Sequence, residues 1–169
     1  MKKIIGITFF TIGFFILNSC SISYKLEGGS INYDFTKTIR IVSFPNRTPF
    51  YPELTQVFDL ALRKRFIEQT RLKEVDNNGD IEIEGEITNY SLSGTAVKDD
   101  AYASRTRLTI SVKVEYINNK EAGKDVSQTF SAFQEFDNTV DISSQEDEFV
   151  RLIVEDLVDQ IYNATVANW

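Results

Sequence analysis

Between Ile81 and Tyr116 the chain twice alternates apolar and polar side chains with a period of two. Ile81, Ile83 and Ile87 interleave with Glu82, Glu84 and Glu86. From Arg107 to Tyr116, Leu108, Ile110, Val112, Val114 and Tyr116 alternate with Arg107, Thr109, Ser111, Lys113 and Glu115. Successive side chains of a strand point to opposite faces, so each segment reads as a half-buried strand. Strands with one polar face need cover on the other face only, which restricts the chain to an antiparallel-rich sheet beneath a single layer. Tyr90 and Leu92 fall on the parity opposite to Ile81–Ile87, which predicts a bulge near Thr88–Asn89.

The flanking segments supply the cover. Thr38 to Phe44 is a short β-branched strand, and Pro45, Pro49 and Pro52 punctuate the loop after it. From Pro52, Leu54, Val57, Phe58, Ala61, Leu62 and Phe66 recur at helical steps. Arg63, Lys64 and Arg65 near its C-terminal half read as a solvated face that also suits the helix dipole. "NNGD" at Asn77–Asp80 is a turn, Ser93 to Ala103 a polar connection, and Asn118–Lys124 a hairpin turn. Val126 to Phe136 is another strand, with Phe130 and Ala132 on one side. Ser143 and Glu146 are spaced as a capping box for a last helix whose apolar face carries Val150, Ile153, Val154, Leu157, Val158 and Ile161. The expected fold class is therefore α+β in the order β-α-β-β-β-α. It is a four-stranded, mostly antiparallel sheet with two helices packed on one face.

The N-terminus is of another kind. Lys2 and Lys3 precede an almost wholly apolar run from Ile4 to Leu17. That run matches a signal-peptide core and falls short of the roughly 20 residues that a membrane span needs. Cys20, the only cysteine, follows at once. Leu17, Ser19 and Cys20 resemble the bacterial lipoprotein pattern, with Asn18 a looser match. That resemblance implies cleavage before Cys20 and acylation of its thiol and amine. The expected divisions are a lipoprotein signal peptide at 1–19, a lipidated N-terminus and tether at 20–36, and one domain at 37–169.

Composition removes several function classes. The chain has no histidine, and its one thiol is committed to lipid, so Ser-His-Asp and Cys-His catalysis and ordinary zinc sites are excluded. No phosphate-cradling glycine loop or EF-hand pattern occurs. The expectation is a protein without catalytic residues, cofactor or metal, and not an enzyme. Loss of Lys2 and Lys3 with the leader makes the net charge two units more negative than the −7 of the whole chain. That disfavours nucleic acid as a partner.

"RIVSFPN" (Arg40–Asn46), "GDIEIEGEITNYSLS" (Gly79–Ser93), "RLTISVKVEYIN" (Arg107–Asn118), "QTFSAFQEFD" (Gln128–Asp137) and the ending "NATVANW" (Asn163–Trp169) come in that order. With the cysteine motif, they resemble the lipopolysaccharide-assembly lipoprotein LptE in its Bacteroidetes form. The resemblance implies a sheet with two helices packed on it. It also implies an outer-membrane lipoprotein on the periplasmic face that plugs an LptD-like β-barrel, helps it assemble and contacts lipopolysaccharide. Ser21 to Tyr24 lack an acidic run, which by the same resemblance favours the periplasmic face.

The candidate lipopolysaccharide-phosphate residues are Arg105, Arg107 and Lys113, which alternation places on one side of one strand. The competing reading is a set of cross-strand salt bridges to Glu82, Glu84 and Glu86. Trp169 is either a cap on the core, a membrane-interface residue or a partner contact. Two other functions remain open: a stand-alone lipid-binding lipoprotein, which needs an apolar cavity, and a secretion-system pilotin or envelope scaffold.

Overall fold

A computed structural model describes residues 31–95 and 105–166. The proposed leader, Cys20, residues 20–30 of the tether and Trp169 lie outside that range. The elements run β1 (Thr38–Ile41), α1 (Leu54–Gln69), β2 (Lys73–Glu74), β3 (Ile81–Thr95), β4 (Arg105–Asn118), β5 (Val126–Asp137), a 3-10 turn (Ile142–Ser144) and α2 (Glu146–Thr165). They form an α+β domain with the two expected helices.

The sheet has five strands rather than four, in the order β2-β1-β3-β4-β5. The additional strand is the two-residue β2, held by bonds from Lys73 N–H to Lys37 O and from Val75 N–H to Ile39 O, each 2.9 Å. β1 runs parallel to both β2 and β3, whereas β3, β4 and β5 are antiparallel. The sheet is thus mixed, with its antiparallel part the larger. The register of β3 on β4 shifts between Ile87 and Asn89, at the expected bulge, so Ile87 and Tyr90 both reach the core.

Both helices cover one face. α1 buries Leu54, Phe58, Leu62 and Phe66, and α2 buries Val150, Ile153, Val154, Leu157, Val158 and Ile161. Beneath them lie Ile39, Ile81, Ile83, Ile87, Leu108, Ile110, Val112, Val114 and Phe130. Burying one such side chain contributes about 1.5–3 kcal/mol, while helices of this length are marginal alone in water, so the shared core holds them. Phe44 packs its ring 5.0 Å from that of Phe58. A Cβ on Gly85 would lie 2.5 Å from the Phe44 ring and 2.0 Å from the Lys113 carbonyl oxygen. Only a residue without a side chain lets β3, β4 and that ring meet there. Ile31 and Thr36 are buried, and Tyr33 packs on the core, so the chain joins the domain from Ile31 onward.

Polar side chains fasten the elements. Asp59 on α1 accepts from Phe44 N–H at 3.0 Å and Ser43 Oγ at 2.5 Å. Arg63 donates to Ile41 O at 2.8 Å and pairs with Glu74; Arg65 pairs with Asp159 and lies over the Tyr162 ring. The basic cluster of α1 is therefore partly structural, and only Lys64 of the three is fully on the surface. The capping box does not form: Asp141 accepts from Ser143, and Glu146 instead accepts from the Tyr90 hydroxyl. An aspartate two residues before Ser143 competes for its N–H, and the phenol competes for the glutamate.

Asp80 ties three segments at one end of the sheet. One carboxylate oxygen accepts from the N–H groups of Lys37 and Thr38 at 2.9 and 3.0 Å; the other meets Lys120 Nζ at 3.1 Å. Burial opposes its ionisation, but these donors and the Thr38 hydroxyl outweigh it and hold its pKa at about 2.

Candidate functional site

The face of the sheet without helices carries the residues of interest. Alternation along β4 places Arg105, Arg107, Thr109, Ser111, Lys113 and Glu115 there, opposite the buried row from Leu108 to Tyr116. The expected single patch divides in two. Arg105 and Arg107 come together, whereas Lys113 stands six residues along the strand from Arg107, roughly 20 Å away at strand rise.

Arg107 donates through Nε at 2.9 Å and Nη2 at 2.5 Å to one oxygen of Glu135. Glu135 faces it directly on β5, and Arg105 Nη1 lies 3.6 Å from the other oxygen. The Arg107 guanidinium sits 4.1 Å above the Phe133 ring, which is 48% exposed. Asp137, opposite Arg105, has its pKa lowered by hydrogen bonds from Thr139 and by the Arg105 charge. This end is a platform of two guanidiniums, one aromatic face and two carboxylates. Its forks suit oxyanions, in competition with Glu135.

Lys113 lies in a separate shallow concavity with Ser43, Arg47, Glu84, Glu86 and Glu115. Its Nζ is 3.0 Å from Glu115, whose hydrogen bond and charge raise the lysine pKa. Glu86, opposite Lys113 in the ladder, bonds Arg47 instead at 2.9 Å. Glu82 is taken by Arg40. Glu82 and Glu86 of β3 thus neutralise arginines of the β1 strand and its following loop. The carboxylates that pair with the β4 cations come from β5 and from β4 itself. Strand parity could have identified Glu135, but only with the β4–β5 register known.

A second polar cluster joins the loop before α1 to α2. Asn46 donates to Phe50 O and Tyr51 O at 2.9 and 3.2 Å and accepts from Thr48. Tyr51, at φ 46°, points its hydroxyl at Asp147 (2.7 Å) and stacks beside Tyr90. Burial and the Asp147 carboxylate push the Tyr51 pKa up to about 12. Burial and Glu146 raise that of Tyr90 as well. These tyrosines brace the end of the core.

Among the described residues, no group of three His, Cys, Asp or Glu side chains is placed to hold a metal. No described helix is long and apolar enough to cross a membrane.

Several solved structures are similar in architecture at low identity. A minor lipoprotein from Acinetobacter baumannii is 14% identical, with 74% of this chain and 88% of that one covered, at a TM-score of 0.43. A hypothetical protein from Chlamydia trachomatis is 14% identical over 75% and 93% of the two chains, at 0.47. Lipoprotein GNA1162 from Neisseria meningitidis is 17% identical over 75% and 99%, at 0.39. These likenesses carry no functional argument. A search of curated proteins returns no match. A family model described as "LptE: Lipopolysaccharide-assembly" matches residues 36–165, which takes in every described strand and both described helices, and the chain belongs to that family.

Proposed function

We propose that this protein is an outer-membrane lipoprotein, anchored through Cys20 on the periplasmic face, that plugs an LptD-like β-barrel and helps it assemble for lipopolysaccharide transport. The family match over residues 36–165 carries this reading. The proposed leader is 1–19, the anchor and tether 20–36, and the plug domain 37–169. The open sheet face supports it physically, because a polar barrel lumen needs a polar, rigid occupant. A stand-alone lipid carrier needs an apolar cavity, whereas the described concavities are open and lined by charged side chains.

Copurification tests the partner. The tagged protein, extracted in mild detergent, should bring down a large β-barrel, and its reproducible absence would refute the reading. The lipopolysaccharide-phosphate site is proposed at Arg105 and Arg107, with Lys113 as a separate second contact. Arg105→Glu with Arg107→Glu should weaken lipopolysaccharide binding about tenfold or more while the domain stays folded. Equal affinity for parent and variant would remove this site.

A further inference from the structure

Most described cations in this acidic protein already have a carboxylate partner. Ion pairs hold Arg40, Arg47, Arg63, Arg65, Arg105, Arg107, Lys113, Lys120 and Arg151. Among the described residues, Lys37, Lys64, Arg71, Lys73 and Lys124 have none. Three of these five lie at one corner of the sheet. Lys73 N–H bonds Lys37 O across β1 and β2, and the Arg71 guanidinium stacks 5.6 Å from the centre of the Tyr33 ring. Phe35, in the turn between Tyr33 and Lys37, is 66% exposed. Of the carboxylates nearby, Asp80 accepts from Lys37 N–H but pairs its charge with Lys120, Glu74 pairs with Arg63, and Asp34 and Asp76 are within ion-pair distance of none of these three cations.

The corner is also where the described chain begins. Ile31 enters the core one turn before Phe35, and Cys20 precedes it by eleven residues, which reach about 40 Å at most. Exposed aromatics beside unneutralised cations suit the headgroup layer of a bilayer: the cations meet lipid phosphates while the ring enters the interface. We infer that Phe35, Lys37, Arg71 and Lys73 form a membrane-docking corner for anionic lipid headgroups, setting the end of the domain nearest the anchor against the bilayer. This rests on the reading of Cys20 as the lipid anchor. The protein's negative charge makes the contact local, since exposed charges beyond about 10 Å are screened.

The test removes the anchor and keeps the corner. The chain from residue 20 to 169 with Cys20→Ser contains every described residue. Its binding is measured by sedimentation with vesicles of phosphatidylcholine alone, or with about one-third phosphatidylglycerol. The anionic vesicles should bind it more strongly. Lys37→Glu with Lys73→Glu should weaken that binding about tenfold or more, and Phe35→Ser should also weaken it. The charge-matched pair Lys64→Glu with Arg151→Glu should stay within about twofold of the parent. All these side chains are exposed, so matching circular-dichroism melts confirm folding. The inference is overturned if the parent binds neither vesicle or both equally, if the corner variant binds like the parent, or if the control pair loses as much. Acylation of Cys20 is read separately by the mass of the native protein; an unmodified thiol would overturn the anchor and, with it, the inference, whereas a failed vesicle comparison with an acylated Cys20 would overturn the inference alone.

Discussion

Replacing Asp80 with alanine should loosen three segments at once. The substitution leaves Lys37 N–H and Thr38 N–H without their acceptor and Lys120 without its partner. Hydrogen bonds to a charged acceptor contribute about 1.5–3 kcal/mol each, and an exposed lysine pair much less. Lys37 N–H can turn to water, whereas Thr38 N–H is half-buried, so the expected loss is about 2–4 kcal/mol. Urea unfolding of the chain from residue 20 with Cys20→Ser, followed by circular dichroism, reads this as a fall in midpoint of about 1–2 M at unchanged slope. Asp80→Asn keeps one acceptor and should lose about half as much. A pH series supplies the second readout. The folded pKa of about 2 lies below the ordinary 3.8, so the ionised carboxylate contributes stability that is fully present above pH 4 and is lost as pH falls towards 2. The shift corresponds to at most about 2.5 kcal/mol, which solvent around a 17% exposed side chain reduces to about 1–2 kcal/mol. The gap between parent and Asp80→Ala should therefore narrow by that amount between pH 5 and pH 2. A difference below about 0.5 kcal/mol at neutral pH, or a gap constant down to pH 2, would refute the assignment.

Gly85→Ala should destabilise the domain by about 2–4 kcal/mol, because the added Cβ meets both a backbone carbonyl and the Phe44 ring; an unchanged urea midpoint would contradict the close approach. Phe58→Ala should cost about 3–5 kcal/mol, as it empties a fully buried ring site against Phe44 and removes one α1 contact; a thermal melt within a few degrees of the parent would count against it. Tyr90→Phe should cost about 1–2 kcal/mol by removing the hydroxyl that holds Glu146, and the amides that open the α2 ladder, from Phe149 onward, should lose hydrogen-exchange protection; unaltered exchange there would refute the brace.

The buried face of the sheet is legible in β3 and β4 because a period of two allows one inward set, and the parity change at Tyr90 marks the bulge. β2 is not legible: Lys73 and Glu74 are both exposed, and backbone bonds to β1, distant in sequence, make them a strand. Arg63 reads as a surface residue because nothing local shows that the end of β1 offers it a carbonyl, and nothing local marks Asp59 as the acceptor for Phe44 N–H. Strand alternation is enough to bring Arg105 and Arg107 to one side. Two features stayed hidden. Lys113 shares their face but not their place, since parity carries no distance. Glu135 as their partner depends on a register that long-range packing sets.

The open sheet face has a kinetic consequence. Arg40–Glu82, Arg47–Glu86, Lys113–Glu115 and Arg107–Glu135 pair opposite charges within the face itself. Such closed pairs project little field beyond their own contacts, so this surface draws no partner from afar. Encounters of an uncharged partner through it should proceed at the unsteered rate, about 10⁵–10⁷ per molar per second. Discrimination then falls to shape and to whichever partner group can displace a carboxylate already seated.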